Sequence, residues 1–429
     1  MNTLKQLKNG ELKGAVALEL TEGLTHFPPE IFDLADTLEY LDLTGNRLNS
    51  FPPDFGRLKK LKIVFCSGNL FTALPEVLAD CPRLELAGFK NNQITTIPSK
   101  SLNANLKWLI LTNNKVSTLP AEIGNCHRLQ KLMLAGNNLT QLPLELGKCH
   151  SLALLRISAN KLSSLPLWLL NMPNLAWLAF SGNLFSPRPQ LPQLKLLKWS
   201  NFTILSLIGE GASGLVYKAI DLSDREVAIK VFKNNITSDG YPEDEIAVCL
   251  MAGRHKGLVN LVGQITGHPE GKKGLVMDLI APGFYNLGMP PSLQSCTRDV
   301  FKPGQNLTTK NVTKIACTIA NTAWQLHTKG IMHSDMYAHN VLINNNGDTL
   351  FSDFGAACFY NQDNDIAPLF ERIEVKAFGY LLDDLISLCA DEKHELQALQ
   401  KLRDECLAAD VLTRPDFRQI SQILERIMI

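Results

Sequence analysis

The chain is 429 residues long, 45% hydrophobic and 20% charged, which describes a globular protein with room for two or more domains. Its 42 basic and 42 acidic residues cancel, which excludes the bulk basic field that nucleic acid or an anionic membrane would call for. No apolar run approaches the roughly 18 residues that span a bilayer, and the first ten residues lack the apolar core of a signal peptide. A cytoplasmic chain with neither nucleic-acid nor membrane partner is expected.

From the N-terminus onward a period dominates. Asparagines recur at 46, 69, 92, 114, 137, 160 and 183, and a proline follows each by six residues. An earlier unit keeps the register with Glu22 in the Asn slot and Pro28 behind it. The leucine positions around each Asn point into one continuous core, and each unit needs neighbours to bury them. A buried Asn at every turn bonds backbone groups that would otherwise stay unsatisfied, so these residues are structural. The unit, as in residues 129–143, resembles the leucine-rich repeat, with about eight repeats over residues 1–185.

Function on such a solenoid is expected on the short strands. The slots six and four residues before each Asn include Tyr40, Phe65, Trp108, Met133, Arg156 and Trp177. This set is apolar for a surface, and exposed apolar patches mark interaction sites. A protein partner, either a second protein or the chain's own second domain, is expected there. Cys81, Cys126 and Cys149 each sit twelve residues after a periodic Asn and are expected as small packing residues, not disulfides. Residues 186–200 form a short Pro-containing linker, in which residues 194–199 are expected to seal the last repeat.

Beyond residue 201 the pattern changes. Gly209, Gly211 and Gly214 precede Val216, and glycines let a hairpin backbone approach phosphates. Two alternating runs, 216–220 and 226–232, follow in place of a helix, which disfavours a dinucleotide fold. Alternation puts Ala228 and Lys230 on one face of their strand, and Glu245 lies fifteen residues on. Residues 341–343 and 349–351 are β-prone runs around an Asn-Gly turn, so a hairpin brings Asn340 and Asp353 together. Two hard oxygen ligands there suit Mg²⁺.

These residues, with His333-Ser334-Asp335 and Asp353-Phe354-Gly355, resemble the motifs of a protein kinase. The implied fold class is two-domain, α/β plus α+β: a leucine-rich repeat solenoid followed by a bilobal kinase fold over 201–429. The resemblance implies ATP and Mg²⁺ as substrate and cofactor. Asp335 would take the hydroxyl proton, Lys230 held by Glu245 would meet the phosphates, and Asn340 and Asp353 would hold the metal. Glu243 is the lesser choice for the Lys230 partner. The nucleotide would lie against Ile208, Gly209, Glu210, Gly211, Ala212, Ser213, Gly214 and Val216. Ala228, Met277, Asp278 and Leu279 would cup the adenine.

Three departures bear on specificity. Ser334 stands where many kinases have the Arg that clamps a phosphorylated loop, and Tyr337 where serine/threonine kinases usually have Lys. Glu374 fills the slot of a family Asp only 21 residues after Asp353, so the intervening segment is abbreviated. Residues 367–369 stand for the family's Ala-Pro-Glu, with Glu371 as replacement partner of Arg414. The expected activity is phosphorylation of protein hydroxyls, Ser/Thr favoured and Tyr open, with the repeats recruiting the partner. The alternative is a catalytically weak kinase-fold scaffold whose repeats bind a partner.

Overall fold

The computed structural model describes residues 2–187, 189–191, 195–211, 213–233, 240–391 and 396–428. The chain divides into two compact units, residues 1–174 with 183–185, and residues 175–182 with 186–429.

The first unit opens with helix α1 (Leu4–Lys8), closed by a Thr3 capping box. Three-residue strands then recur: β1 (Ala17–Glu19), β2 (Tyr40–Asp42), β3 (Ile63–Phe65), β4 (Leu86–Gly88), β5 (Trp108–Ile110), β6 (Lys131–Met133) and β7 (Leu154–Arg156). They pair parallel in chain order. Behind most strands a proline with φ near −65° leads into a short 3₁₀ turn, as Pro120 does for Ala121–Asn125. The last turn is the helix α2 (Leu167–Leu170).

Each periodic Asn works as expected. Asn137 Oδ1 accepts from Val116 N–H at 2.9 Å, and Nδ2 donates to the carbonyls of Leu111 and Leu134 at 2.9 and 3.0 Å. Asn114 and Asn160 repeat the pattern. The Cys81, Cys126 and Cys149 thiols are buried and face backbone carbonyls, and all ten cysteines are free.

The eighth repeat supplies β8 (Trp177–Ala179), which belongs to the second unit. That unit continues with β9 (Leu196–Lys198), β10 (Phe202–Glu210), β11 (Gly214–Asp221), β12 (Glu226–Phe232), helix α3 (Pro242–Ala252), β13 (Leu261–Thr266) and β14 (Gly274–Asp278). These strands form a six-stranded sheet in the order β10-β11-β12-β14-β13-β9. Of the segment expected to seal the last repeat, residue 194 lies outside the described residues, and Leu196–Lys198 form β9 of this sheet. Leu196–Lys198 pair parallel with Gln264–Thr266, and Leu197 and Trp199 pack against the core of Ala219, Val227, Ile229 and Val276.

The remainder is mainly helical. It comprises β15 (Tyr285–Asn286), α4 (Thr309–His327), β16 (Ile331–Met332), β17 (Val341–Ile343), β18 (Thr349–Phe351), β19 (Cys358–Phe359), α5 (Ala367–Ser387), α6 (Gln397–Cys406) and α7 (Phe417–Ile427). Thr308 caps α4, and an Asp416–Gln419 capping box starts α7. Residues 367–369 open α5 instead of closing the segment before it, because Pro368 is pre-organised for a first helical turn. Glu371 accepts from Phe417 N–H, while Arg414 donates to the carbonyls of Ala408 and Arg372. Among the described residues no helix is long and apolar enough to cross a membrane.

Candidate functional site

The β10–β11 hairpin, β12, α3, β14 and β18 surround a cavity of about 300 Å³. Of the residues expected to hold a nucleotide, Ile208, Gly211, Ser213, Gly214, Val216, Ala228, Lys230, Met277, Asp278 and Leu279 line it. Gly209 and Glu210 do not. The Glu210 carboxylate turns out to Lys233 at 2.6 Å on the surface. Ala212 lies outside the described residues. The three glycines serve different ends. A side chain at Gly214 would strike the Val231 carbonyl at 2.6 Å, whereas one at Gly211 would meet nothing within 4 Å among the described residues. The space above Gly211 is open to a ligand group.

Lys230 is the electrostatic centre. Its Nζ donates to Glu245 Oε1 at 2.5 Å and to Asp353 Oδ1 at 3.3 Å. Glu243 instead faces Lys273. Burial draws the Lys230 ammonium down, but the charges of Asp353 and Glu245 more than offset it and hold it above the ordinary value. Asp353 in turn is held below the usual carboxylate range, chiefly by Lys230. Its backbone has φ +59°, and Gly355 N–H donates to Oδ1 at 3.2 Å.

The β17–β18 hairpin has the expected register, Val341 opposite Phe351, and ties Ser352 N–H to the Asn340 carbonyl at 2.9 Å. Asn340 Nδ2 donates to both the carbonyl and Oδ2 of Asp335 at 2.9 Å. Asp335 and Asn340 therefore share one loop, while Asp353 stands beside Lys230. The amide of Asn340 is engaged through nitrogen, which leaves its oxygen to another partner, and Asp353 offers an ionised carboxylate. An amide oxygen and an ionised carboxylate are donor types that Mg²⁺ takes. Among the described residues there is no group of three or more His, Cys, Asp or Glu that could hold a metal.

Glu374 holds the loop from below. Fully buried on α5, it accepts from Ser334 N–H at 2.6 Å and His333 N–H at 3.1 Å, and faces His327 Nε2 at 2.8 Å. These bonds secure Ser334 at φ +67°. His333 stacks on Phe351 at 3.8 Å and donates from Nε2 to the Ser352 carbonyl, and burial pushes its pKa down. Sequence reasoning missed Asp299, whose carboxylate receives His339 N–H and faces His339 Nδ1, each at 2.8 Å. Nothing local marks it, since the pairing spans 40 residues.

The proposed binding face needs correction at two positions. Tyr40, Phe65, Trp108 and Met133 are part-exposed, but Arg156 is 3% and Trp177 1% exposed. Arg156 stands opposite Met133 in the parallel register. Trp177 is enclosed by Tyr337 and Tyr380.

A family model described as a protein kinase domain matches residues 202–381, and one described as a leucine-rich repeat matches residues 37–58. Fibroblast growth factor receptor 1 of Xenopus laevis is 25% identical over 277 residues, covering 52% of this chain and 34% of the receptor. Its counterpart in Pleurodeles waltl is 24% identical with the same coverage. CTD kinase subunit alpha of Schizosaccharomyces pombe is 30% identical over 155 residues, 35% of this chain and 24% of that subunit. The chain thus spans 34% or less of the length of these curated relatives.

Proposed function

Because the chain joins a leucine-rich repeat region to a protein kinase domain, we propose that it transfers the γ-phosphoryl group of ATP to protein hydroxyls, Ser or Thr before Tyr. In this reading the repeats recruit the protein partner and the protein works in the cytoplasm. The observation that carries the proposal is Lys230 Nζ within reach of both Glu245 and Asp353 beneath the glycine hairpin. Phosphoryl transfer asks little covalent chemistry of a protein; it asks for positioning and neutralised charge.

The placement of these residues supports each role in this reading. The adenine would lie beside Ala228 and Met277 and the phosphates would run under Gly211 toward Lys230, all of which line the cavity. Glu245 keeps Lys230 in place, and Asp335, oriented by Asn340, accepts the hydroxyl proton as the bond from the hydroxyl oxygen to the γ-phosphorus forms and the bond from that phosphorus to the bridging oxygen breaks, with ADP leaving. Asn340 and Asp353 would hold Mg²⁺, which would supply positive charge to offset that of the phosphate oxygens.

Purified wild type and Asp335→Asn incubated with radiolabelled ATP, Mg²⁺ and generic protein substrates test this. Label on wild type alone, followed by phosphoamino-acid analysis, is expected. Equal label in both would remove Asp335 from the role, and none in either would favour the scaffold reading.

A further inference from the structure

Leu175 to Phe180 all lie at 1% exposure or less. Within the second unit, residues 175–182 touch three parts of the candidate site. The Trp177 ring stacks on Tyr337 at 4.3 Å and 5°, and on Tyr380 at 5.4 Å and 16°. Its Nε1–H donates to the Met336 carbonyl at 3.2 Å. Met336 and Tyr337 directly follow Asp335. Phe180 N–H donates to Cys358 Sγ at 3.0 Å on β19, and its ring packs 5.3 Å from Phe370 on α5. Gly182, at φ +71°, lies so close to α3 that a Cβ would come 2.7 Å from the Tyr241 ring and 3.1 Å from Asp244 Oδ2. Tyr241 is the N-cap of α3, and Asp244 precedes Glu245.

We propose that residues 175–182 order the phosphoryl-transfer site in cis, holding the start of α3, the loop after Asp335 and β19 in the arrangement that lets Lys230 meet Glu245 and Asp353. The proposal rests on the kinase reading above. The sequence supplies a need for such an element. Only residues 360–366 separate β19 from α5, and the Ser334 side chain offers no guanidinium to clamp a phosphorylated segment. Buried aromatic stacks and a hydrogen bond to a loop carbonyl provide the order instead. Trp177 is a positioning residue, since it reaches Met336 and Tyr337 and not the reacting atoms.

The full chain tests this by amide hydrogen exchange, and by kcat and KM for ATP measured with labelled ATP. Trp177→Ala should raise exchange over residues 334–340 by about tenfold or more, as local opening becomes easier. It should lower kcat about tenfold with KM for ATP within about twofold. Trp177→Phe keeps the stack and should lie within about threefold of wild type in both. Gly182→Ala should raise exchange in the first turn of α3. Phosphatase treatment of wild type should leave kcat within about twofold, because no phosphorylated segment is needed. Unchanged exchange and kcat in Trp177→Ala, damage from Trp177→Phe equal to that from Trp177→Ala, or a tenfold loss on dephosphorylation would each overturn the proposal. Should Trp177→Ala fail to fold, Trp177→Leu, which keeps apolar bulk without a stacking plane, carries the same expectations. If wild type transfers no phosphate, the kinase reading fails by itself and the exchange measurements alone decide the ordering role.

Discussion

Asparagine appears in two settings in this chain with opposite consequences. In the repeat ladder Asn137 makes one accepting and two donating bonds to backbone, and its polar atoms are consumed by the fold. In the second unit Asn340 gives its amide N–H to Asp335, which leaves its oxygen to another partner. Lys230 follows the same logic, paired with Glu245 yet poised at Asp353 and the cavity. A polar group saturated by backbone stabilises a fold, whereas one that shares its partner with an open cavity can do chemistry.

The sharpest break of that contrast is the rate. Asp335→Asn should lower kcat about a thousandfold or more, with a melting temperature close to wild type because the side chain is half-buried at a cleft. Lys230→Met should lose activity to a similar degree. It should also cost about 3 kcal/mol in urea unfolding, because buried Glu245 loses the ammonium it faces. A Lys230→Met protein as stable as wild type would show that the pair is not structurally coupled.

The two asparagines test the comparison directly. Asn137→Ala strips three buried bonds and should cost about 3 kcal/mol, read as a lower urea midpoint of the repeat unit. Asn340→Ala strips two bonds and should cost about 2 kcal/mol while weakening Mg²⁺-dependent nucleotide binding, read by titration. Equal destabilisation by both would end the distinction.

Much of this was legible because it is local. The Asn period, the Asn-Gly hairpin and the spacing from Lys230 to Glu245 each encode a contact within one or two elements. What escaped was long-range. Trp108 and Trp177 occupy the same slot of the repeat, and the sequence treats them alike. Trp177 is buried by a partner 159 residues away in the chain, which no periodicity announces. Leu196–Lys198 join a strand far downstream for the same reason. Residues 367–369 misled because a proline suits both the end of a loop and the first turn of a helix.

Glu374 adds a smaller, pH-dependent test. Burial pushes its carboxyl up, but the hydrogen bond from His327 and the Ser334 N–H outweigh this and hold it below 4.5. A carboxyl depressed in the fold contributes stability above its unfolded value, and that contribution is lost as pH falls through the depressed value. Wild type should therefore lose melting temperature below pH 4.5. Glu374→Gln should start about 2 kcal/mol less stable at pH 7 and show a shallower acid slope. Parallel acid slopes would mean that another group controls the acid limb.

The smallest effect separates the two tryptophans. Lys131 Nζ sits 4.3 Å from the Trp108 ring, and Trp108 Nε1 points at Met133 Sδ. Part of the ring is therefore already engaged within the first unit, and Trp108→Ala should cost only about 1 kcal/mol in the urea midpoint. Its half-exposed remainder is available to a partner. If the repeats recruit the protein substrate, Trp108→Ala should raise KM for that substrate and leave kcat unchanged, which is the signature of lost uniform binding. Trp177→Ala should do the reverse. A fall in kcat from Trp108→Ala with KM unmoved would place both rings in the same ordering role and dissolve the division between binding face and catalytic support.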